Sequence, residues 1–249
     1  MIISIIIPDV SWQYIFISSL IRGYKKIYKN ISFVLYFPQE KYNFIYQDML
    51  DVKIVNNLDL IFEYNSNIII NLSLDKYVCE RINNMNNVFG FNSNNIDNFS
   101  FDKKVFDFYD HIILNNYSKK NIYELLFEMC DLKWSGESPF IFYKSPAKVK
   151  HNTTGISIKD DDLRRFIKNN LCLNMTRKWH VPVRSNPKKF IDEISRCEML
   201  ITDNLFASMV SVAMKKQTYY LDYEHKNMNV IFFHKGKRHF INNMSKHEV

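Results

Sequence analysis

MIISIIIPDVSWQYIFISSLIRGYKKIYKNISFVLYF, residues 1–37, decides the fold. Ile2 to Pro8 is an apolar run broken only by Ser4, short enough for a buried strand. Pro8 and Asp9 stop it. Trp12, Ile15, Phe16, Leu20, Tyr24 and Ile27 then recur at helical spacing, which predicts a helix over 11–28 with Ser11 as N-cap. Ser32 to Phe37 is a second buried strand, ended by Pro38. Strand, helix, strand with short turns is a βαβ unit, and such units build parallel sheets covered on both faces.

The alternation continues. A helix is predicted over 39–50, strands over 52–55 and 67–71, a helix over 75–85 and a strand over 88–91. A strand over 111–114 and a helix over 119–129 follow. Residues 132–153 lose periodicity and hold Gly136, Pro139, Pro146, Lys148 and Lys150, the composition of a linker. The pattern then restarts with strands at 155–158, 171–173, 180–183, 199–202, 218–221 and 230–233. Helices are predicted over 160–169, over 187–197 behind Asn186-Pro187, and over 205–214 capped by Asp203 or Asn204. The expectation is an α/β chain of two Rossmann-like lobes with parallel sheets, 1–140 and 150–249, the second reduced.

Charge divides in the same place. Residues 1–145 carry 14 Lys/Arg and 16 Asp/Glu, a net of −2, and residues 146–249 carry 19 and 10, a net of +9. A basic lobe attracts an anion: a nucleotide diphosphate, nucleic acid or an anionic membrane surface. The opening apolar run has no basic lead and is cut at seven residues, unlike a secretory signal. No apolar run nears the roughly 20 residues that span a bilayer. Cys79, Cys130, Cys172 and Cys197 are scattered without CxxC or Cys/His spacing, which reads as reduced core thiols and a cytoplasmic chain.

With 5 Gly in the chain there is no GxGxxG and no P-loop, and neither GxSxG nor HExxH occurs. Asp9 follows the first strand and precedes the first helix, a position for a general base or for a simple helix cap. Met199-Leu200-Ile201-Thr202-Asp203-Asn204 runs a strand into a helix start, where amides bind phosphate and Asp203 and Asn204 bond hydroxyls, or only cap. Lys178, Arg184 and Ser185 flank Trp179 and His180 in a basic, aromatic segment that suits a diphosphate and a base, or equally a solvated loop with a structural histidine. Asp160-Asp161-Asp162 serves a helix dipole better than a metal. His234 to His239 is a basic stretch suited to phosphate, to a membrane surface, or to solvent.

These features, in this order, resemble the heptosyltransferase family of GT-B glycosyltransferases, family 9, which includes the ADP-heptose:lipopolysaccharide enzymes. The likeness rests on Asp9-Val10 with the Ser18 to Lys26 helix, on Ile68 to Ser73, on Val88 to Phe91, and on Phe190 to Asp203. It implies an acceptor-binding front lobe, a donor-binding back lobe and a cleft between them. It implies a metal-independent, inverting transfer with Asp9 as base and donor contacts at Asp203 and Asn204, with no cofactor. The partners implied are a nucleotide-sugar donor and a glycan or glycolipid acceptor of the cell surface, with peripheral contact at an anionic membrane. Nucleic acid is disfavoured. The family's Gly and His after the donor Asp are replaced here by Leu205 to Met209, which keeps open a second reading, a catalytically degenerate binding or assembly module.

Overall fold

The computed structural model describes residues 1–91, 122–170, 177–222, 229–234 and 237–241. They fall into two compact units, Met1–Glu137 and Ser138–Val249. The strand expected at 111–114 and the one at 171–173 lie outside the described residues.

Unit 1 is built on a five-stranded parallel sheet of order β3-β2-β1-β4-β5. Its strands are β1 (Ile2–Ile6), β2 (Ser32–Tyr36), β3 (Val52–Val55), β4 (Ile68–Asn71) and β5 (Val88–Gly90). Helices α1 (Gln13–Ile27), α2 (Leu58–Glu63), α3 (Lys76–Ile82) and α4 (Ile122–Met129) complete it. Ile6, Val34, Val55 and Ile69 from the sheet meet Ile61 of α2 and Val78 and Ile82 of α3 in one buried cluster.

Two expectations are corrected here. The segment 39–50 forms only a 3₁₀ turn, Glu40–Ile45. Tyr42, Ile45, Tyr46 and Met49 are buried at spacings that mimic a longer helix, but one short turn suffices to anchor them. Ser11 does not cap α1. The cap position is Trp12, with no side-chain bond, while Ser11 hydrogen-bonds the Tyr42 hydroxyl. Helix α2, capped by Asn57 on the Asp59 amide, is too short to show a period in the sequence.

Unit 1 ends on a buried carboxylate. Glu137 accepts from the Ser135 amide (2.8 Å) and hydroxyl (2.5 Å) and pairs with Lys26 of α1. Burial pushes this carboxyl up, but the bonds from Lys26 and Ser135 outweigh it and hold it down at about 2. A depressed carboxyl adds stability that is complete above its unfolded value and is lost as pH falls toward the folded one. Glu137→Gln should therefore cost about 2 kcal/mol at neutral pH, less than the full shift implies because Lys26 is solvent-exposed. That cost should vanish between about pH 5 and pH 2, read from urea midpoints across pH.

Unit 2 carries a six-stranded sheet of order β11-β10-β9-β8-β6-β7. Strands β6 (Thr153–Ser157), β7 (Arg177–His180), β8 (Met199–Thr202) and β9 (Gln217–Asp222) are parallel. β10 (Asn229–His234) and β11 (Lys237–Ile241) extend the sheet in antiparallel fashion, so His234 and Lys237 of the basic stretch pair across two neighbouring strands. β7 ends earlier than the expected 180–183 because Pro182 has no amide for the ladder. Helices α5 (Asp161–Asn170), α6 (Pro187–Ser195) and α7 (Leu205–Ala213) follow β6, β7 and β8. Asn186 caps α6 on the Lys189 amide, as the Asn-Pro signal predicts. Residues 132–152 of the stretch read as a linker lack helix and strand, while Thr153 opens β6, and Tyr143 and Ser145 fasten the stretch to Asp192 of α6 at 2.9 and 2.6 Å.

Candidate active site

Strand order fixes where each sheet can bind a ligand. In unit 1 the chain runs outward from β1 to β2 and β3, then returns to the other side of β1 with β4. The loops after β1 and β4 therefore diverge and leave a crevice at the carboxyl rim. In unit 2 the same reversal falls between β6 and β8.

The unit 1 crevice is a cavity of roughly 410 Å³ lined by Ile6 to Asp9, Tyr36, Pro38, Leu58, Ser73, Asp75, Tyr77 and Val78. Asp9 stands on the β1 loop. Its Oδ1 accepts from Gln39 Nε2 and, at 3.5 Å, from the Tyr14 hydroxyl. Tyr14 is fixed by ring contacts with Phe37 and Tyr42, so the carboxylate has a rigid support. No bond to Oδ2 occurs among the described residues. Asp9 is not the cap of α1, since α1 starts at Gln13 without a side-chain cap. Burial together with Asp9, then Tyr42, drives the Tyr14 hydroxyl well above the ordinary range, so it stays a donor.

Sequence reasoning missed the opposite wall. Asn71 ends β4 fully buried and spans four bonds: its amide donates to the Ser73 carbonyl (2.9 Å), the Phe91 carbonyl (2.9 Å) and Cys79 Sγ (3.3 Å), and its oxygen accepts from the Ser73 amide (2.9 Å). This hub shapes the turn that presents Ser73 and Asp75. Asp75 also caps α3 on the Val78 amide at 3.2 Å. Burial raises the Tyr36 hydroxyl first, and the charges of Asp9 and Asp75 add to the rise.

In unit 2, Asp203 Oδ2 accepts from the Lys159 amide at 2.9 Å and so ties together the two loops at the reversal. Burial raises its carboxyl against that bond. Asn204 caps α7 through the Ala207 amide at 2.9 Å, and its own amide donates to Thr202 Oγ1 at 3.0 Å. Phe206 is buried against Phe190, away from solvent. Arg184 and Ser185 are exposed in the loop after β7, on the same rim as Asp203. Lys178 is not brought there. Its ammonium bonds the Lys168 carbonyl in the last turn of α5, and that helix starts at the rim and runs away from it.

The cation that joins Arg184 instead is Arg164, on the first turns of α5, where it donates to the Ile158 carbonyl at 3.2 Å. His180 lies in the field of both. Burial first, then Arg164 and Arg184, lower its pKa, with Asp161 opposing. The three acids at 160–162 are used locally: Asp160 caps the Leu163 amide at 2.8 Å, and Asp161 and Asp162 pair with Arg164 and Arg165.

No protein-family model matches the chain, and no curated protein matches it by sequence. Among solved structures it is similar to a glycosyl transferase family 9 protein from Veillonella parvula, at 10% identity with a TM-score of 0.52, covering 87% of this chain and 79% of that one. It also overlays on the E. coli heptosyltransferase WaaC with ADP, at 10% identity and a TM-score of 0.48, covering 88% and 86%. The first likeness shows the fold: two Rossmann-like units of the GT-B kind, as the sequence implied.

Proposed function

We propose that the chain is a glycosyltransferase that moves a sugar from a nucleotide-sugar donor to a hydroxyl of a glycan or glycolipid acceptor. The observation that carries this reading is the supported carboxylate of Asp9 in a hydroxyl-lined cavity at the sheet reversal. The acceptor occupies that cavity. Asp9 takes the proton of the acceptor hydroxyl while its oxygen bonds the anomeric carbon from the face opposite the leaving group. The carbon–oxygen bond to the diphosphate breaks, the nucleoside diphosphate leaves with the electron pair, and the anomeric configuration inverts. Unit 2 holds the donor. Asp203 and the α7 start, with Asn204, sit beside the sugar and ribose hydroxyls, and Arg184, Ser185, Arg164 and His180 receive the growing diphosphate charge, so the step uses no metal. The basic surplus of residues 146–249 fits a location at the cytoplasmic face of an anionic membrane.

The test is calorimetric titration with ADP-, UDP-, GDP- and CMP-sugars, followed by transfer assays. Absence of binding to all four at millimolar concentration rejects the reading. A bound diphosphate favours protonated His180, so binding takes up a proton and affinity should rise as pH falls through the histidine range. His180→Gln should flatten that dependence, and Arg184→Ala should weaken binding about tenfold. The second reading, a binding or assembly module without turnover, is favoured by the capping role of Asn204. It predicts nucleotide binding with no transfer or hydrolysis from any donor.

A further inference from the structure

The cavity around Asp9 has a one-sided electrostatic character. Asp9 and Asp75 stand on its two walls, and no Lys or Arg lines it among the described residues. Nearby cations are engaged elsewhere. Lys76 pairs with Glu80, and Arg81 binds Asp59 and donates to the Tyr77 hydroxyl at 2.8 Å. Aromatic surface completes the wall. Tyr77 lines the cavity with its ring 59% exposed, so an aromatic face is open to a ligand there. Tyr36 and Ser73 add hydroxyl-bearing side chains to the lining. Carboxylates that accept from vicinal hydroxyls beside an aromatic face suit a sugar ring, whose polar groups lie at its rim and whose C–H groups lie on its faces.

We propose that this cavity selects a hydroxylated sugar acceptor bearing no phosphate or carboxylate, most readily one with a free amine, and that Asp75 is the residue that imposes this choice. The inference rests on the reading of the Asp9 cavity as the acceptor site. It adds the chemical class of acceptor, and with it a specificity residue on a loop that the sequence did not single out. An anion entering here meets two carboxylates in a lining that holds no cation among the described residues, and Arg81 behind Tyr77 is already bound to Asp59. Each carboxylate is worth on the order of a tenfold penalty at the effective dielectric of a protein surface. An ammonium gains by the same arithmetic.

The experiment titrates the full chain with three probes that share one ring: glucosamine at about pH 6.5, methyl glucoside, and glucose 6-phosphate. Glucosamine should bind best and glucose 6-phosphate at least tenfold more weakly than methyl glucoside, with the gap narrowing in high salt. Asp75→Asn keeps a good helix cap, so the fold of α3 is preserved. It should bring the three affinities within about threefold of one another. Glucose 6-phosphate binding as tightly as the neutral probe overturns the proposal, as does an unchanged ranking in Asp75→Asn or no binding of any probe. Nucleotide-sugar titrations on the same preparation separate the two readings. Their failure with the probe ranking intact sinks the transferase alone, whereas intact nucleotide binding with a reversed ranking sinks the acceptor class alone.

Discussion

Asp9→Asn is expected to lower turnover by roughly 10²–10⁴-fold, the usual contribution of a positioned general base, while KM changes little. The substitution is close to isosteric, and the asparagine oxygen can still accept from Gln39, as Asp9 Oδ1 does. Binding and fold should therefore persist, and the loss should appear in the chemical step. The proposed inverting transfer would have a single displacement, in which no second carboxylate takes over as a nucleophile. Asp75 lines the same cavity but is tied to the α3 amide, which leaves it a poorer base. Tyr14→Phe should cost far less than Asp9→Asn, because a 3.5 Å contact is at the limit of a hydrogen bond. Single-turnover rates with saturating donor would check both. A rate for Asp9→Asn within threefold of the parent would remove Asp9 from the base role.

The largest effect on stability should come from Gly90→Ala, about 3 kcal/mol or more, with a fall in Tm of roughly 10 °C. Gly90 ends β5 at φ +85°, where an L side chain is strained. A Cβ there would lie 2.1 Å from the Asn71 carbonyl oxygen, so backbone must move. That carbonyl accepts from the Phe91 amide at 2.9 Å, and the Asn71 side chain sets the Ser73–Asp75 turn. Gly90→Ala should therefore disturb the cavity as well as the sheet. Gly136 provides the control. It has φ +96°, but a Cβ there would meet nothing within 4 Å, so Gly136→Ala incurs conformational strain alone, about 1 kcal/mol. Urea midpoints of the two variants measure the difference. Equal losses would show that the contact with Asn71 relaxes freely.

Where the candidate residues fall on strands, loops and caps was partly readable without coordinates, and the limits of that reading have physical causes. The place of Asp9 was legible because a strand that ends at Ile6 and a helix that starts at Gln13 leave one carboxylate on the loop between them. Asn204 was legible as a helix start, and the structure uses its side chain for that cap. Lys178 misled because strand position says which rim a loop reaches, not what a long side chain finds nearer at hand, here the carbonyl end of α5. Arg164 was hidden inside an amphipathic helix, where its spacing to Asp161 reads as an ordinary surface pair.

The sequence by itself determined the two α/β halves, the identity of most strands, and the charge asymmetry. Those depend on local periodicity and composition, which report burial one segment at a time. Only the tertiary structure decided that β4 lies against β1, bringing Ser73 and Asp75 to Asp9 across more than sixty residues of chain. It also decided that Arg164 and Arg184 share the field of His180. Lateral strand order is set by long-range packing, such as Ile6 and Ile69 meeting Val78 and Ile82, and by the buried hub at Asn71. An apolar strand carries the same pattern whichever neighbour it pairs with, so the crevice cannot be read until the neighbours are known.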